Sequence, residues 1–176
     1  CNFTMGPDGK MYSRMLGGNL VRIDVENARG ENLTNGDLVG TKDGSAYGLV
    51  FDPQDENVFY FSNNDKHCIY KYDLRTKECA CWAGQEGKSG YLDGPIGQAM
   101  FNKPGQMCVD SEGNIILTDT ENHCIRKITM STGYVSTLAG KPQNSGYVNG
   151  SAEDAQFKKP LGICIDNDDV MYIGDS

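Results

Sequence analysis

The sequence predicts an all-β protein assembled from repeated four-stranded antiparallel sheets. The first observation is a repeat, because His67-Cys68-Ile69 recurs as His123-Cys124-Ile125, 56 residues later. The second is the 22 glycines among 176 residues, which favour turns over helices. The third is that short β-branched and apolar runs, with no helical period, are separated by links of hairpin length. A unit copied in series buries its core against its neighbours, so the repeat determines the architecture.

The same spacing relates eight further positions of successive units. Tyr91, Gly94, Ala99, Phe101, Pro104, Cys108, Asp110 and Asp119 recur as Tyr147, Gly150, Ala155, Phe157, Pro160, Cys164, Asp166 and Asp175. Agreement at this many positions does not arise from composition alone. The alignment predicts units at roughly 1–40, 41–88, 89–144 and 145–176, the last of them incomplete.

Each unit is predicted to be a meander of four short strands joined by turns rich in Gly, Asn, Asp and Ser. The first unit is faint, since Asn19-Leu20-Val21-Arg22-Ile23 matches the segment from His123 only loosely. In the second unit the predicted strands are 46–51, 57–62, 67–73 and 78–83. In the third they are 105–110, 114–119, 123–129 and 134–139. The fourth unit is half present and the sequence ends within it, at Ser176.

Long connections join the units at 85–104 and 141–160. Ordered connections of this length are usually functional or held by their own packing. Phe101 and Phe157 are predicted to plug the seam between neighbouring sheets. Pro104 and Pro160 are predicted to set up the first strand of the next unit.

The order of strands predicts which loops share an end of the molecule. Because strands of a meander alternate in direction, the turn between the second and third strands lies at the same end as the long connection. The other end has only tight turns, so a ligand face is expected at the long-loop end. The candidate ligand-binding residues there are Tyr91, Asp93, Glu121, Asn122, Tyr147 and Asn149.

Charge and histidine placement restrict the chemistry. The net charge of −8 argues against nucleic-acid binding, and no apolar run reaches the ~20 residues of a membrane helix. His67 and His123 occupy one position of the repeat, so they are predicted to be framework residues. Each is expected to hydrogen-bond from its turn, to Asp119 or to a loop carbonyl. No zinc-ligand spacing is present, and no metal or other cofactor is expected.

The seven cysteines are predicted to be mostly free core residues. Cys68 and Cys124 share one position of the repeat, and Cys108 and Cys164 share another. Cys79-Ala80-Cys81 places two thiols on one strand face, which is a weak metal or redox signal. The acidic run at 166–169 aligns with a turn of the preceding unit, so a solvated turn is favoured over a calcium loop.

Two segments carry a resemblance to a known family. The runs at 119–128 and 133–140 resemble the NHL repeat, although Cys124 stands where the consensus has Leu and Asp65-Lys66-His67 lacks the Asn. The resemblance implies a β-propeller, commonly of six blades with four strands each. On this basis the chain is expected to be a partial propeller of about three and a half blades of six.

The Gly-Tyr-x-Asp-Gly, Ala-x-Phe and Thr-Leu-Ala-Gly segments are similar to those of bacterial proteins that combine an IPT/TIG domain with an NHL propeller. Many of these are exported or surface lipoproteins, some of them encoded near glycan-uptake systems. The resemblance implies a non-enzymatic binding or scaffold module in the periplasm or on the outer membrane surface, with a protein or glycan ligand. The apolar runs predict no transmembrane segment in this sequence, and the lipid anchor that the resemblance implies would lie elsewhere in a longer chain.

Two alternative functions follow from the same fold. One is a metal-dependent propeller enzyme of the lyase or lactonase type, whose metal site would lie in further blades. The other is RNA binding, as in NHL proteins of the ubiquitin-ligase type, against which the net charge of −8 counts.

Overall fold

A computed structural model of the chain describes residues 3–14, 19–34 and 47–176. Within them the strands form four antiparallel sheets, called blades 1 to 4. Blade 1 contains β1 (Phe3–Met5), β2 (Met11–Arg14), β3 (Leu20–Asp24) and β4 (Arg29–Asn32). Blade 2 contains β5 (Leu49–Phe51), β6 (Val58–Asn63), β7 (Cys68–Asp73) and β8 (Cys79–Gly84).

Blade 3 has five strands, one more than blades 1 and 2. It contains β9 (Gly94–Pro95), β10 (Pro104–Val109), β11 (Ile115–Asp119), β12 (Cys124–Thr129) and β13 (Tyr134–Ala139). A 3₁₀ turn at Thr120–Asn122 links β11 to β12. Blade 4 contains β14 (Gly162–Ile165) and β15 (Met171–Gly174).

The strands of blades 2 and 3 agree with the predicted ones to within a few residues, and the predicted start at 46 lies outside the described residues. The prediction that His67 and His123 begin a strand is wrong. Their φ angles are 55° and 58°, in the left-handed region. This conformation reverses the chain in the turn before β7 and β12, so each strand starts one residue later.

The second strands of blades 2 and 3 are buried on both faces, which explains the apolar runs with which they begin. All six residues of β6 and all five of β11 are buried. Successive side chains of a strand point to opposite faces. Phe59 and Phe61 therefore join the cluster between blades 1 and 2, whereas Val58 and Tyr60 join the cluster between blades 2 and 3. A strand buried in two seams has no face open to solvent.

The seams between blades form the core, and the connections help to fill them. Phe101 is fully buried in the cluster between blades 2 and 3, as predicted. A Cβ at Gly84 (φ 93°) would lie 2.9 Å from the Phe101 ring, so only glycine fits below it. Gly140 and Phe157 repeat this contact at 2.9 Å in the next seam. Removing a buried ring of this kind costs about 3–5 kcal/mol.

The connection before blade 3 crosses to the far edge of that blade before it enters as β10. Gly94 and Pro95 of β9 pair with Val135 and Tyr134 of β13. The sequence does not predict this strand, because two residues are too few to show a period. In the described ranges no helix has the length and hydropathy needed to span a membrane.

Candidate functional site

The first strands of the four blades lie side by side around an open groove with a volume of about 770 Å³. We call it the inner groove. Its lining residues come from β1, β5, β10 and β14 and from the turns that follow β1 and β5. The groove therefore opens at the end of the tight first turns, opposite the long-loop end at which the sequence predicts the ligand face.

The walls of the inner groove combine apolar, amide and acidic side chains. Apolar surface comes from Phe3, Met5, Phe51, Met107 and Ile163. Phe3 and Met5 are 64% and 57% exposed, whereas Met107 and Ile163 are buried. Gln106 spans two blades, since the backbone N–H of Ile163 donates to its Oε1 at 3.2 Å.

Three carboxylates stand at the mouth of the inner groove. Asp52 accepts hydrogen bonds from the Tyr60 hydroxyl (2.7 Å) and from the backbone N–H of Gln54 (2.9 Å). Burial and this bond to Asp52 raise the pKa of Tyr60, so its hydroxyl remains a donor. The N–H of Asn57 and then the Arg75 guanidinium lower the pKa of Asp55. The third, Glu56, is exposed and has no ion-pair partner among the described residues.

The two groove cysteines lie on neighbouring first strands, one repeat apart. Cys108 is half-buried, and burial raises its pKa to about 12, so it is a protonated thiol at neutral pH. Cys164 is an exposed free thiol, so the prediction of a core position is wrong for it. Both residues line the groove, and Cys108 also packs against the cluster between blades 3 and 4. Among the residues that the structure describes, no three His, Cys, Asp or Glu side chains are grouped so as to hold a metal ion.

Three of the six candidate residues at the long-loop end surround the buried Arg126. Arg126 Nη2 lies 2.6 Å from Asp93, and the guanidinium stacks 4.8 Å from the Tyr91 ring centroid. The Tyr91 hydroxyl lies 2.7 Å from Thr137 Oγ1. Asn122, buried beside them, donates to the Gly90 carbonyl at 2.8 Å. These three side chains hold the connection against blade 3.

The other three candidate residues present more surface. Glu121 forms an ion pair with Lys159 at 3.0 Å. Tyr147 is 66% exposed, with Lys158 Nζ 5.5 Å from its ring centroid. Asn149 is exposed. The structure thus separates the six candidates into an internal group and a surface group, and their assignment to ligand binding stays a prediction.

Arg126 is a central residue that the sequence analysis did not single out, and its partner Asp119 was expected only as a repeated residue that bonds a histidine. Asp119 is fully buried and lies 2.7 Å from Arg126 Nη1. Burial raises the pKa of Asp119 to about 6, against the opposing effect of Arg126. The sequence feature that could have identified Arg126 is the alternation of side-chain directions along β12. It shares a strand face with Cys124 and Ile128, both buried, so its side chain must point inward.

The histidines bind backbone, but not as expected. The Nδ1 of His67 accepts from the N–H of Lys103 at 3.1 Å, and that of His123 accepts from Lys159 at 3.1 Å. The partner is therefore a backbone donor in the following connection, rather than Asp119 or a carbonyl. Asp119 instead accepts from the N–H of Asn102 at 2.8 Å.

Comparison with known families agrees with this geometry. A model described as "NHL repeat" matches residues 101–128. The matched segment runs from the end of the long connection through most of β12. The chain is 27% identical over 165 residues to Protein SUPPRESSOR OF QUENCHING 1, chloroplastic, of Arabidopsis thaliana, covering 89% of this chain and 15% of that protein. It is 29% identical over 104 residues to NHL repeat-containing protein 2 of Bos taurus, covering 58% of this chain and 14% of that protein.

Solved structures show the fold over the whole chain. A protein of unknown function from Bacteroides thetaiotaomicron superposes with a TM-score of 0.89 and 26% identity, covering 99% of this chain and 44% of that chain. An auxiliary nutrient binding protein from the same organism superposes with a TM-score of 0.75 and 28% identity, covering 98% of this chain and 44% of that chain. Virginiamycin B lyase from Staphylococcus aureus gives 0.61 at 16% identity, covering 98% and 47%, a likeness of fold alone.

The fold is a β-propeller with four-stranded antiparallel blades. The chain spans less than half the length of these solved structures, and about 15% of the curated relatives it matches.

Proposed function

We propose that this NHL-repeat chain is a non-enzymatic ligand-binding module of an exported bacterial protein, and that its ligand lies in the inner groove. The observation that carries the proposal is the groove itself. Its volume of about 770 Å³ falls in the range of small-molecule sites, ~300–1,000 Å³. Its walls combine apolar surface with a few polar groups, as such sites do. Similarity to an auxiliary nutrient binding protein supports the same function.

The location that we propose is the periplasm or the outer membrane surface. Support comes from the two Bacteroides auxiliary nutrient binding proteins, 28% and 26% identical to this chain. A complete propeller of six blades and an accompanying IPT/TIG domain are part of the same proposal, as are the blade limits predicted from the repeat. The ligand classes that the resemblance implies are a protein segment or a glycan.

A second surface for the ligand is the long-loop end, through Glu121, Tyr147 and Asn149. Tyr91, Asp93 and Asn122 would then act indirectly, by fixing the connection that carries such a surface. The inner groove is the stronger candidate because it is concave, whereas Tyr147 is an exposed side chain paired with Lys158.

Cys164 provides a test, because it is an exposed thiol inside the groove. Binders of the full-length protein would be selected from a peptide library and a glycan array. Each binder would then be added during maleimide alkylation, with the modified cysteines quantified by mass spectrometry. We expect a binder to slow the alkylation of Cys164 by about tenfold at saturation. The matched control is Tyr147→Cys in a Cys164→Ser background, which reports on the long-loop end.

Protection of Cys164 with no protection of the control thiol supports the groove. Protection of the control thiol alone assigns the ligand to the long-loop end and refutes the groove. A protein that selects no peptide and no glycan above background refutes the ligand-binding function itself.

A further inference from the structure

The two ends of the molecule differ in charge. The first turns of the four blades, at 6–10, 52–57, 110–114 and 166–170, contain nine acidic residues and one lysine. The acidic residues are Asp8, Asp52, Asp55, Glu56, Asp110, Glu112, Asp166, Asp168 and Asp169. Arg22, Arg75 and Lys127 pair with some of them from neighbouring segments, which leaves an excess of negative charge. The long-loop end, at 64–67, 85–103, 120–123 and 141–159, has six acidic residues and six lysines.

The inner groove opens at the acidic end, and its own lining has the same sign. Of the described residues that line it, none is Lys, Arg or His, and three are carboxylates at its mouth. Asp52 and Asp55 are held by the turn, which keeps their charge in place. Glu56 remains available to a ligand. A cleft lined by charge of one sign concentrates ligands of the other sign.

The apolar wall adds a second requirement. Phe3, Met5 and Phe51 present carbon and sulfur surface to the groove rather than a row of hydrogen-bonding groups. A sugar, which is hydroxylated all round, would leave many polar groups facing this wall without partners. An anionic ligand would meet the carboxylates at the mouth. Of the two ligand classes named under the proposed function, the groove therefore favours a protein segment over a glycan.

We infer that the ligand of the inner groove is a short peptide segment that bears a Lys or Arg side chain between apolar residues. The apolar side chains lie along Phe3, Met5 and Phe51, and the cationic group reaches Glu56 and its neighbours at the mouth. The inference rests on the proposed function and makes it more specific, since it excludes anionic and fully hydroxylated ligands.

The test uses three capped tripeptides that differ only at the centre: Leu-Lys-Leu, Leu-Gln-Leu and Leu-Glu-Leu. Affinity for the full-length protein would be measured by NMR titration at low and high NaCl concentrations. We expect the Lys peptide to bind on the order of tenfold more tightly than the Glu peptide, with the Gln peptide between them. A high NaCl concentration should lower the affinity for the Lys peptide and leave the affinity for the Gln peptide nearly unchanged.

Glu56→Gln removes the available carboxylate without disturbing the turn, whose hydrogen bonds use Asp52 and Asp55. The change should lower the affinity for the Lys peptide about two- to fivefold and leave the affinity for the Gln peptide unaltered. Glu153→Gln makes the same change of net charge at the exposed long-loop end and should have no effect.

Equal affinities for the three peptides, or equal effects of the two Glu→Gln changes, would overturn the inference. In that event the Cys164 protection experiment still decides the proposed function, because it depends on the position of the ligand and not on its charge. If the protein instead prefers a neutral glycan, and that glycan protects Cys164, the inference of a peptide ligand is overturned. The proposal that the ligand lies in the inner groove is then kept.

Discussion

Arg126 ties the long connection to blade 3 through both of its Nη atoms, whereas its buried Nε has no hydrogen-bond partner within the described part of the chain. It donates to Asp119 at 2.7 Å, to Asp93 at 2.6 Å, and to the carbonyls of Leu92 (2.9 Å) and Met100 (3.2 Å). The Tyr91 and Phe101 rings lie 4.8 and 5.2 Å from its guanidinium carbon. A planar guanidinium satisfies this arrangement and an ammonium would not.

Arg126→Met should destabilise the protein by about 3–5 kcal/mol, because it leaves Asp119 buried without its cation. The free energy of unfolding would be measured by urea titration. The matched control is Arg75→Met, which removes an arginine that also pairs with two carboxylates, Asp55 and Asp73, but in solvent. That change should leave stability nearly unaltered. Similar losses in both variants would contradict a special role for Arg126.

At the residue scale the repeat marked the two histidines as framework residues, which the structure bears out through their hydrogen bonds to backbone. The inward direction of Arg126 follows from alternation along β12, but it was not predicted. The pairing of Arg126 with Asp93 depends on the path of the connection across blade 3, which no local pattern records. The same holds for Tyr91, predicted at a ligand face and found stacked on Arg126.

The link between a turn and the connection that follows it depends on a neutral imidazole. Nδ1 of His67 accepts the Lys103 N–H, so it has to be unprotonated. Burial, and then the charge of Lys103, lowers the pKa of His67 below its ordinary value. The unfolded chain therefore binds this proton more readily than the folded protein. The stabilisation is fully present above the unfolded pKa of about 6.5 and is lost as the pH falls from there through the lower pKa of the folded protein.

The melting temperature should consequently fall more steeply between pH 7.5 and pH 5.5 in the natural protein than in His67→Asn. Asparagine accepts a hydrogen bond but does not titrate, so it serves as the matched reference. Scanning calorimetry of both proteins at the two pH values gives the difference. A pH dependence that is the same in both, or larger in His67→Asn, would show that His67 does not contribute in this way.

Whole strands were the most predictable elements, since four-residue to six-residue runs with turn residues between them define their own limits. The inner groove was not predictable at this scale. Its walls come from β1, β5, β10 and β14, which are far apart in sequence and meet only when the blades are arranged around a common centre.

For the molecule as a whole, stability is concentrated in the seams. The cluster between blades 2 and 3 contains twelve buried residues, including Ile115 and Leu117 of β11. The four residues of β4, by contrast, are all exposed. Because local opening follows the distribution of buried contacts, the blades should not open with equal ease.

We expect the backbone amides of β11 to exchange at least about tenfold more slowly than those of β4 in hydrogen–deuterium exchange of the full-length protein. The comparison should be made under native conditions, with strand-resolved peptides and the unstructured exchange rates as reference. Equal protection of β4 and β11 would mean that the propeller opens only as one unit.

At this scale the repeat was sufficient to predict the fold class, and the net charge of −8 was visible at once. The difference in charge between the two ends could not be read from the sequence alone. It emerges only when the first turns of all blades are placed at one end, which requires the topology.

The short strand β9 also limits the association of this protein with other copies of itself. The outermost strand of a sheet normally offers free N–H and C=O groups to any passing strand. In blade 3, Gly94 and Pro95 pair with β13, and the N–H of Thr137 donates to the Asp93 carboxylate at 3.1 Å. Pro95 itself has no N–H to offer. The connection between blades therefore shields an otherwise adhesive edge, and loss of Asp93 would expose blade 3 to edge-to-edge aggregation.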